Sequence, residues 1–176
     1  MISKTPLFIL TGPVHSGKTS LLAQLCAEFE SRDLSLNGLL SLAHFDGERF
    51  QGYNGYSLRS GEVFPLIRIQ GEPEWERIGR FYFLPEGMKQ AKAAIQEIET
   101  SRLTVIDEMG PHELTGKGFW EPFLKLQELG QPTLVVVRTE LLDSFTSKIK
   151  ARPQVFRMKQ PRIAETLKTR IRASLA

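Results

Sequence analysis

A glycine-rich segment near the start of the chain has the residue types and spacing of a phosphate-binding loop. Residues 12–19 read GPVHSGKT and match the pattern G-x-x-x-x-G-K-[ST]. In such a loop, successive backbone N–H groups surround phosphate oxygens, and the dipole of the following helix adds positive charge. We predict that Lys18 bridges the β- and γ-phosphates of a nucleotide and that the Thr19 hydroxyl ligates Mg²⁺. The predicted nucleotide-binding residues are Gly12, Pro13, Val14, His15, Ser16, Gly17, Lys18, Thr19 and Ser20.

Two adjacent carboxylates follow the apolar run Leu103–Ile106. Side chains alternate across a strand, so Asp107 and Glu108 must point to different places. Asp107 can reach Mg²⁺ through water, and Glu108 can polarise a water molecule for in-line attack on a γ-phosphate. We therefore predict that Thr19 and Asp107 serve the metal and that Glu108 is the general base.

Basic and aromatic residues supply further candidates. Arg138 ends the apolar run Leu134–Val137, where a guanidinium could neutralise charge developing on the γ-phosphate or pair with a structural carboxylate. We place it with Glu108 and Lys18 as a predicted catalytic residue. The weaker candidates are the basic residues Arg59, Arg80 and Lys117, the loop pair His112 and Glu113, and the aromatic residues Trp75, Phe81, Tyr82 and Trp120, which we expect to serve mainly as surface, loop and core residues.

Composition and the absence of other motifs narrow the class of protein. The 176 residues are 41% hydrophobic and 24% charged, which is typical of one globular domain spanning residues 1–176. No apolar run approaches the ~20 residues of a membrane helix, and the N-terminal apolar run is too short for a signal peptide. Cys26 is the only cysteine, which favours a reducing cytoplasm. The sequence has no CxxC, H-E-x-x-H or G-x-S-x-G motif, and its histidines are too scattered for a zinc site.

Charge is distributed unevenly along the chain. Residues 145–176 carry nine lysines and arginines and one acid, a net charge of +8, within a chain whose formal charge is +3. This basic, mainly helical segment favours either a solvated surface or a site that attracts phosphates or nucleic acid, and we expect the former. No oligomeric state follows from the sequence.

The elements needed to position these residues alternate between strand and helix. Hydrophobic runs and turn signals predict a mainly parallel α/β sheet with helices on both faces, and an antiparallel hairpin insert at about residues 46–84. The predicted strands are 7–10, 36–45, 50–57, 63–70, 81–84, 103–106, 133–137 and 154–158. The predicted helices are 17–32, one that begins at Pro85, 119–129, 141–150 and 162–175. Since ligands bind at the carboxyl ends of parallel strands, the P-loop, the acidic pair and Arg138 are expected to converge.

Several segments together resemble one family. The runs GPVHSGKTSLL, GYSLRSGEVFPL, RIGRFYFLPEG, VIDEMGPHELTGKGFW and LVVVRTELL, within residues 7–142, are similar to the bacterial and archaeal nucleoside-triphosphatase family that includes the human cancer-related NTPase. The resemblance implies a P-loop NTPase fold related to RecA and AAA+ cores, with one strand added between the P-loop strand and the strand before the acidic pair. It also implies slow Mg²⁺-dependent hydrolysis of ATP, GTP and other nucleoside triphosphates, with residues 12–19 on the phosphates and Asp107 and Glu108 on metal and water.

Two other functions use the same loop. One is a nucleotide or small-molecule kinase, which needs an acceptor pocket and usually an arginine-rich lid. The other is a nucleotide-dependent adaptor or switch, in which a partner reads the nucleotide state and the basic segment could be the partner surface. One assay distinguishes the three functions. Phosphate release without an acceptor favours a hydrolase, transfer that requires an acceptor favours a kinase, and tight binding with negligible turnover favours a switch.

Overall fold

The computed structural model describes residues 5–32, 34–98 and 101–176. Its strands are β1 (Leu7–Gly12), β2 (Leu36–Asp46), β3 (Arg49–Ser57), β4 (Val63–Arg68), β5 (Arg77–Ile78), β6 (Phe81–Phe83), β7 (Leu103–Ile106), β8 (Thr133–Arg138) and β9 (Gln154–Arg157). Its α-helices are α1 (Lys18–Glu30), α2 (Pro85–Gln96), α3 (Pro111–Leu114), α4 (Trp120–Glu128), α5 (Leu142–Lys148) and α6 (Ile163–Leu175). None of the helices in these ranges is both long and apolar enough to cross a membrane.

Over the described residues, the nine strands form one sheet in the order β5-β6-β4-β3-β2-β7-β8-β1-β9. Strands β2, β7, β8, β1 and β9 run parallel, and the remaining four add an antiparallel edge beyond β2. Strand β8 lies between β1 and β7, as the family resemblance implied. The carboxyl ends of β1, β7 and β8 therefore lie side by side at one edge of the sheet.

Alternation along the buried strands divides the core into two layers. In β1, Leu7 and Ile9 pack into one cluster with residues of α2, α4 and α5, whereas Phe8 and Leu10 pack into the other with residues of α1 and α6. All four side chains are at most 1% exposed. Such continuous apolar strands are typical of a parallel sheet covered by helices on both faces, so the predicted fold class is confirmed.

A buried asparagine joins helix α2 to the centre of the sheet. The Asn37 amide nitrogen donates to the carbonyl oxygens of Ala94 and Ile95, at 3.2 and 2.8 Å. Its oxygen accepts hydrogen bonds from the hydroxyls of Ser101 and Thr104, at 2.6 and 2.7 Å. All four hydrogen-bonding positions of this fully buried amide are thus satisfied, including two carbonyls at the C-terminus of the helix.

The next residue requires glycine for two reasons. Gly38 has φ of +113°, a region that side-chain-bearing residues rarely adopt. A Cβ placed there would lie 1.9 Å from the Val105 carbonyl oxygen of neighbouring strand β7. The close approach of β2 to β7 is what brings the middle of β2 to the end of β7, where the acidic pair begins.

The predicted elements match the observed ones with small boundary shifts and two omissions. Strand β1 continues to Gly12 and strand β4 ends at Arg68. The two-residue strand β5 and the four-residue helix α3 were not predicted, because elements this short lack a readable period. The division of the chain at residues 46–84 and 145–176 stays a prediction.

Candidate active site

The predicted phosphate-binding loop connects the end of β1 to the start of α1. His15 and Gly17 both have positive φ, at +58° and +84°, and helix α1 begins at the next residue, Lys18. Alternation of right- and left-handed conformations is the geometry that turns successive N–H groups towards one point. His15 is exposed, so its ring faces solvent while its backbone belongs to the loop.

Lys18 folds back over this loop. Its ammonium donates to the carbonyl oxygens of Gly12 and Pro13, at 3.0 and 2.5 Å, and lies 3.4 Å from Ser16 Oγ. Partial burial lowers the pKa of Lys18, and the carboxylate of Glu108 opposes that shift. The ammonium therefore lies in the mouth of the loop, with partners that phosphate oxygens could replace.

Asp107 connects the P-loop helix to the sheet. Its Oδ1 accepts a hydrogen bond from Thr19 Oγ1 at 3.3 Å, and its Oδ2 accepts one from the backbone N–H of Ser41 at 3.0 Å. The carboxyl group is 2% exposed, and burial raises its pKa to about 7, although both hydrogen bonds oppose the shift. A cation close to Asp107 would return it to the charged form.

Glu108 turns away from Asp107 and meets Arg138. Its φ of +79° places a residue other than glycine in the left-handed region, a strained conformation often found at functional sites. Its Oε1 lies 2.6 Å from Arg138 Nη2, with the two side chains 38% and 34% exposed. Sequence reasoning offered phosphate contact or a carboxylate partner for Arg138, and in this structure its partner is Glu108, itself a predicted catalytic residue.

Residues 14–20 of the loop and helix start, the acidic pair and Arg138 line one cleft of about 520 Å³, whereas Gly12 and Pro13 are not part of its lining. Ser41, Phe45, Phe50 and Tyr53 of β2 and β3 complete the opposite wall. This volume is in the usual range for a small-molecule ligand. The predicted site residues are thus brought together, while their individual roles stay predictions.

The residues present fit Mg²⁺. Hydroxyl and carboxylate oxygens of Thr19 and Asp107 are adjacent, and hard oxygen donors are what this ion prefers. Across residues 5–32, 34–98 and 101–176, there is no group of three or more His, Cys, Asp or Glu side chains that could hold a metal. A magnesium ion that also binds substrate phosphates needs only one or two ligands from the protein.

His112 and Glu113, expected to make only loop contacts, are buried on helix α3. Glu113 accepts hydrogen bonds from the backbone N–H groups of Gly110, at 2.8 Å, and Phe119, at 3.2 Å. Burial raises the pKa of Glu113 to about 7 despite these bonds. His112 stacks on Phe83 at 4.7 Å, and burial lowers its pKa. Glu113 therefore holds the segment after Glu108 in place through hydrogen bonds to its backbone.

The remaining candidates make surface or core contacts. Arg59 donates to the Glu97 carbonyl oxygen at 3.0 Å, and Lys117 pairs with Glu76 at 3.1 Å, so both are structural surface groups as expected. Arg80 lies over the Phe81 ring. Trp120 packs against Phe123 and Phe145 in the core.

Ser41 and Tyr53, like Phe45 and Phe50, line the cleft but were missed by sequence reasoning. Ser41 also donates from its hydroxyl to the Asp107 carbonyl oxygen at 3.3 Å, so it orients the acidic pair through backbone and side chain. Neither residue belongs to a motif, and both are placed by strand pairing. The parallel pairing of β2 with β7 aligns Leu39 with Ile106, a register that no local pattern reveals.

The fold and the cleft define a P-loop NTPase: a parallel sheet, a phosphate-binding loop at the end of one strand, and a carboxylate pair at the end of a strand two positions away. Comparison with known proteins specifies the family. A model of the NTPase family matches residues 7–168 of this chain.

Individual relatives agree with the family match. Nucleoside-triphosphatase THEP1 of Hyperthermus butylicus is 26% identical over 147 residues, covering 78% of this chain and 73% of the relative. The THEP1 of Pyrococcus abyssi is 25% identical over 141 residues, with 78% and 77% covered.

Two solved structures share the fold. The solution structure of a human cancer-related nucleoside triphosphatase has a TM-score of 0.75, 22% identity and 96% coverage of both chains. The crystal structure of THEP1 from the hyperthermophile Aquifex aeolicus has a TM-score of 0.63 and 13% identity, with 94% of this chain and 98% of that chain covered. The chain belongs to the NTPase family, and it is a hydrolase of nucleoside triphosphates.

Proposed function

We propose that this NTPase hydrolyses ATP, GTP and other nucleoside triphosphates in an Mg²⁺-dependent reaction at the cleft above the P-loop. The observation that carries the proposal is the 3.3 Å hydrogen bond between Thr19 and Asp107. It joins the helix after the phosphate-binding loop to the strand end that carries Glu108. The phosphates, the metal ion and the proposed general base can therefore meet at one point.

The loop from Gly12 to Ser20 would hold the triphosphate tail. The nucleobase would lie towards Phe45 and Phe50 on the opposite wall of the cleft. Lys18 would exchange its bonds to Gly12 and Pro13 for phosphate oxygens, keeping its charge where the β- and γ-phosphates lie. Phe45 is 52% exposed and offers an aromatic face rather than a set of hydrogen-bond donors. Such a surface discriminates weakly between bases, which supports a broad choice of nucleotide.

Thr19 and Asp107 would hold Mg²⁺, which supplies charge neutralisation of the β- and γ-phosphate oxygens when bound. The buried Asp107 carboxyl would be ionised in that state, oriented by its hydrogen bond from Ser41. The Thr19 hydroxyl donates its proton to Asp107, so an oxygen lone pair would be free to face the ion.

Glu108 would accept a proton from the water that attacks the γ-phosphate. Its exposed fraction of 38% leaves it open to solvent, and Arg138 orients its Oε1. As charge moves onto the γ-phosphate oxygens, the Arg138 guanidinium, held at the same strand edge, would be in reach to neutralise it. Arg138 would thus serve both the carboxylate and the phosphate.

The test is phosphate release by the purified protein with each nucleoside triphosphate, with Mg²⁺ or with a chelator, and with no acceptor added. We expect release only with Mg²⁺. Lys18→Ala should abolish nucleotide binding by calorimetry, whereas Lys117→Ala, a surface control, should bind normally. Normal binding by Lys18→Ala would contradict the P-loop assignment, and tight binding with negligible turnover in the wild type would favour a switch.

Two further proposals concern partners and location. Seven of the nine basic side chains in residues 145–176 are exposed, while Lys168 pairs with Glu28 and Arg172 lies over Phe29. A nucleic acid is the partner such a surface would attract, and a salt-sensitive mobility shift with RNA or DNA tests it; no shift at low salt would leave a solvated surface. We also propose a cytoplasmic location, supported by the buried, unpaired thiol of Cys26.

A further inference from the structure

A second cavity, of about 310 Å³, opens next to the nucleotide cleft on the side of the antiparallel strands. Its lining, within the described part of the chain, includes none of the residues 12–20. The two cavities meet at a shared boundary formed by Ser41, Tyr53, Asp107, Glu108 and Arg138. The second cavity is therefore a separate compartment that reaches the same carboxylates from the other side.

The walls of this cavity are apolar and largely aromatic. Leu66 is 1% exposed, and Ile67 and Ile78 are partly buried beside it. The rings of Tyr53 and Phe81 lie 6.0 Å apart on the wall nearest the cleft. Such a surface offers water few hydrogen bonds. A planar aromatic ligand, in contrast, would bury apolar area and stack on the rings.

Polar groups line this cavity on two sides: Arg80, His112 and Glu113 lie away from the cleft, and the acidic pair and Arg138 lie at the boundary with it. There the Glu108 carboxylate lies against Arg138, at 2.6 Å. A ligand whose aromatic body fills the cavity would present any short substituent to Glu108. A hydroxyl group at that place would have its proton next to Glu108, the carboxylate that we propose as the general base for water.

We propose that this cavity binds a small aromatic alcohol as a phosphoryl acceptor, so that the protein transfers the γ-phosphate as well as hydrolysing the nucleotide. The inference rests on the proposed function, because Glu108 is the base in both reactions. The alcohol oxygen forms a bond to the γ-phosphorus while the bond from that phosphorus to the β–γ bridging oxygen breaks. The hydroxyl proton passes to Glu108, and the products are a phosphate monoester and the nucleoside diphosphate.

Hydrolysis is the same displacement with water in place of the alcohol. An alcohol held in the cavity excludes water from that face of the γ-phosphate, so transfer competes with phosphate release. Orientation in a dry cavity favours the bound alcohol over water, although water is far more concentrated.

The experiment incubates the wild-type protein with Mg²⁺ and γ-³²P-labelled ATP and with benzyl alcohol, 2-(4-hydroxyphenyl)ethanol or adenosine. Each probe is present at about 10 mM, above the millimolar Kd expected of a weakly held small ligand. Glycerol at the same concentration is the aliphatic control. We expect a labelled phosphate monoester with at least one aromatic probe, a matching fall in free phosphate, and no monoester with glycerol.

Two tryptophan substitutions locate the reaction. Ile78→Trp fills the cavity from β5, and we expect it to abolish transfer while hydrolysis continues, because water also reaches Glu108 through the nucleotide cleft. Val63→Trp places the same ring on strand β4, two positions away in the sheet and outside both cavities, where Val63 is 54% exposed. This control should keep both reactions.

Three results would overturn the inference: hydrolysis without monoester from any aromatic probe, equal transfer to glycerol, or equal transfer by the two tryptophan variants. The wild-type comparison stands by itself if Ile78→Trp fails to fold. Absence of both hydrolysis and nucleotide binding in the wild type would instead refute the proposed function, so the two failures are distinguishable.

Discussion

Replacing Glu108 by glutamine tests the proposed chemistry with little change in shape. Glutamine keeps the length of the side chain and an oxygen for Arg138, but it cannot accept a proton from water at neutral pH. The substitution therefore removes the base and leaves the phosphate-binding loop intact.

The structure separates the expected effects on activity and on stability. The Glu108–Arg138 ion pair is more than one-third exposed at both side chains, so its loss should change the free energy of unfolding by less than about 1 kcal/mol. Loss of general base catalysis should lower kcat by about 10²–10⁴-fold, which corresponds to about 3–5 kcal/mol of activation free energy. The decrease in rate should thus far exceed any decrease in stability.

The assay combines steady-state phosphate release with nucleotide affinity from calorimetry. Glu140→Gln is the matched control, because Glu140 is exposed and its charge also acts on Lys18. We expect Glu108→Gln to bind Mg²⁺–ATP normally and turn over slowly, and Glu140→Gln to resemble the wild type. Unchanged turnover by Glu108→Gln would refute Glu108 as the base.

The double variant with Arg138→Gln then defines the role of the arginine. If Arg138 acts only by orienting Glu108, the double variant should be no slower than Glu108→Gln alone. If it also contacts the γ-phosphate, as we propose, a further loss of rate should remain in the glutamine background.

Three further predictions concern stability. Asn37→Leu removes four hydrogen bonds of a buried amide and should lower the free energy of unfolding by about 3–5 kcal/mol in urea titrations. A change smaller than the uncertainty of the titration would contradict this prediction. Gly38→Ala should lower the free energy of unfolding by at least about 2 kcal/mol, because the added Cβ meets a backbone oxygen. Gly47→Ala has open space around its Cβ and should lower it by only about 1 kcal/mol in the same titrations. Equal losses would refute the steric argument. Burial raises the pKa of Glu113 to about 7, so between pH 4.5 and 7 the folded carboxyl keeps a proton that the unfolded chain releases, and stability should fall as pH rises, by up to about 3 kcal/mol. Glu113→Gln should make that part of the urea-derived stability profile less steep, while Asp107, whose pKa is also raised to about 7, should keep the remaining slope. An unchanged profile would exclude Glu113 as one of its sources.

Much of the fold could be predicted because its signals are local. The apolar runs of β1, β7 and β8 are long enough to identify buried strands, and the amphipathic helices between them require a mainly parallel sheet. The short elements β5 and α3 escaped prediction, since two to four residues carry no period and form only through contacts with neighbouring strands and helices.

The residues of the candidate site could be chosen from the sequence, but their geometry could not. Motif spacing identified Lys18, Thr19 and Asp107, because the chain itself places a phosphate-binding loop and a carboxylate after strands. It did not identify Ser41, whose backbone N–H reaches Asp107 only because β2 and β7 pair in one register. Pairing between distant segments is set by packing over the whole sheet and has no local signature.

The sequence by itself determined the candidate groups of the site: the amides and the ammonium of the loop after β1 and the two carboxylates after β7, each encoded within a few consecutive residues. The tertiary structure alone decided how those groups face one another. Contacts between segments far apart in the chain put Glu108 against Arg138, buried Glu113 behind them, and enclosed an aromatic cavity beside the nucleotide cleft. Motifs are local because backbone conformation is local, whereas cavities and ion pairs arise only when distant strands and helices pack together.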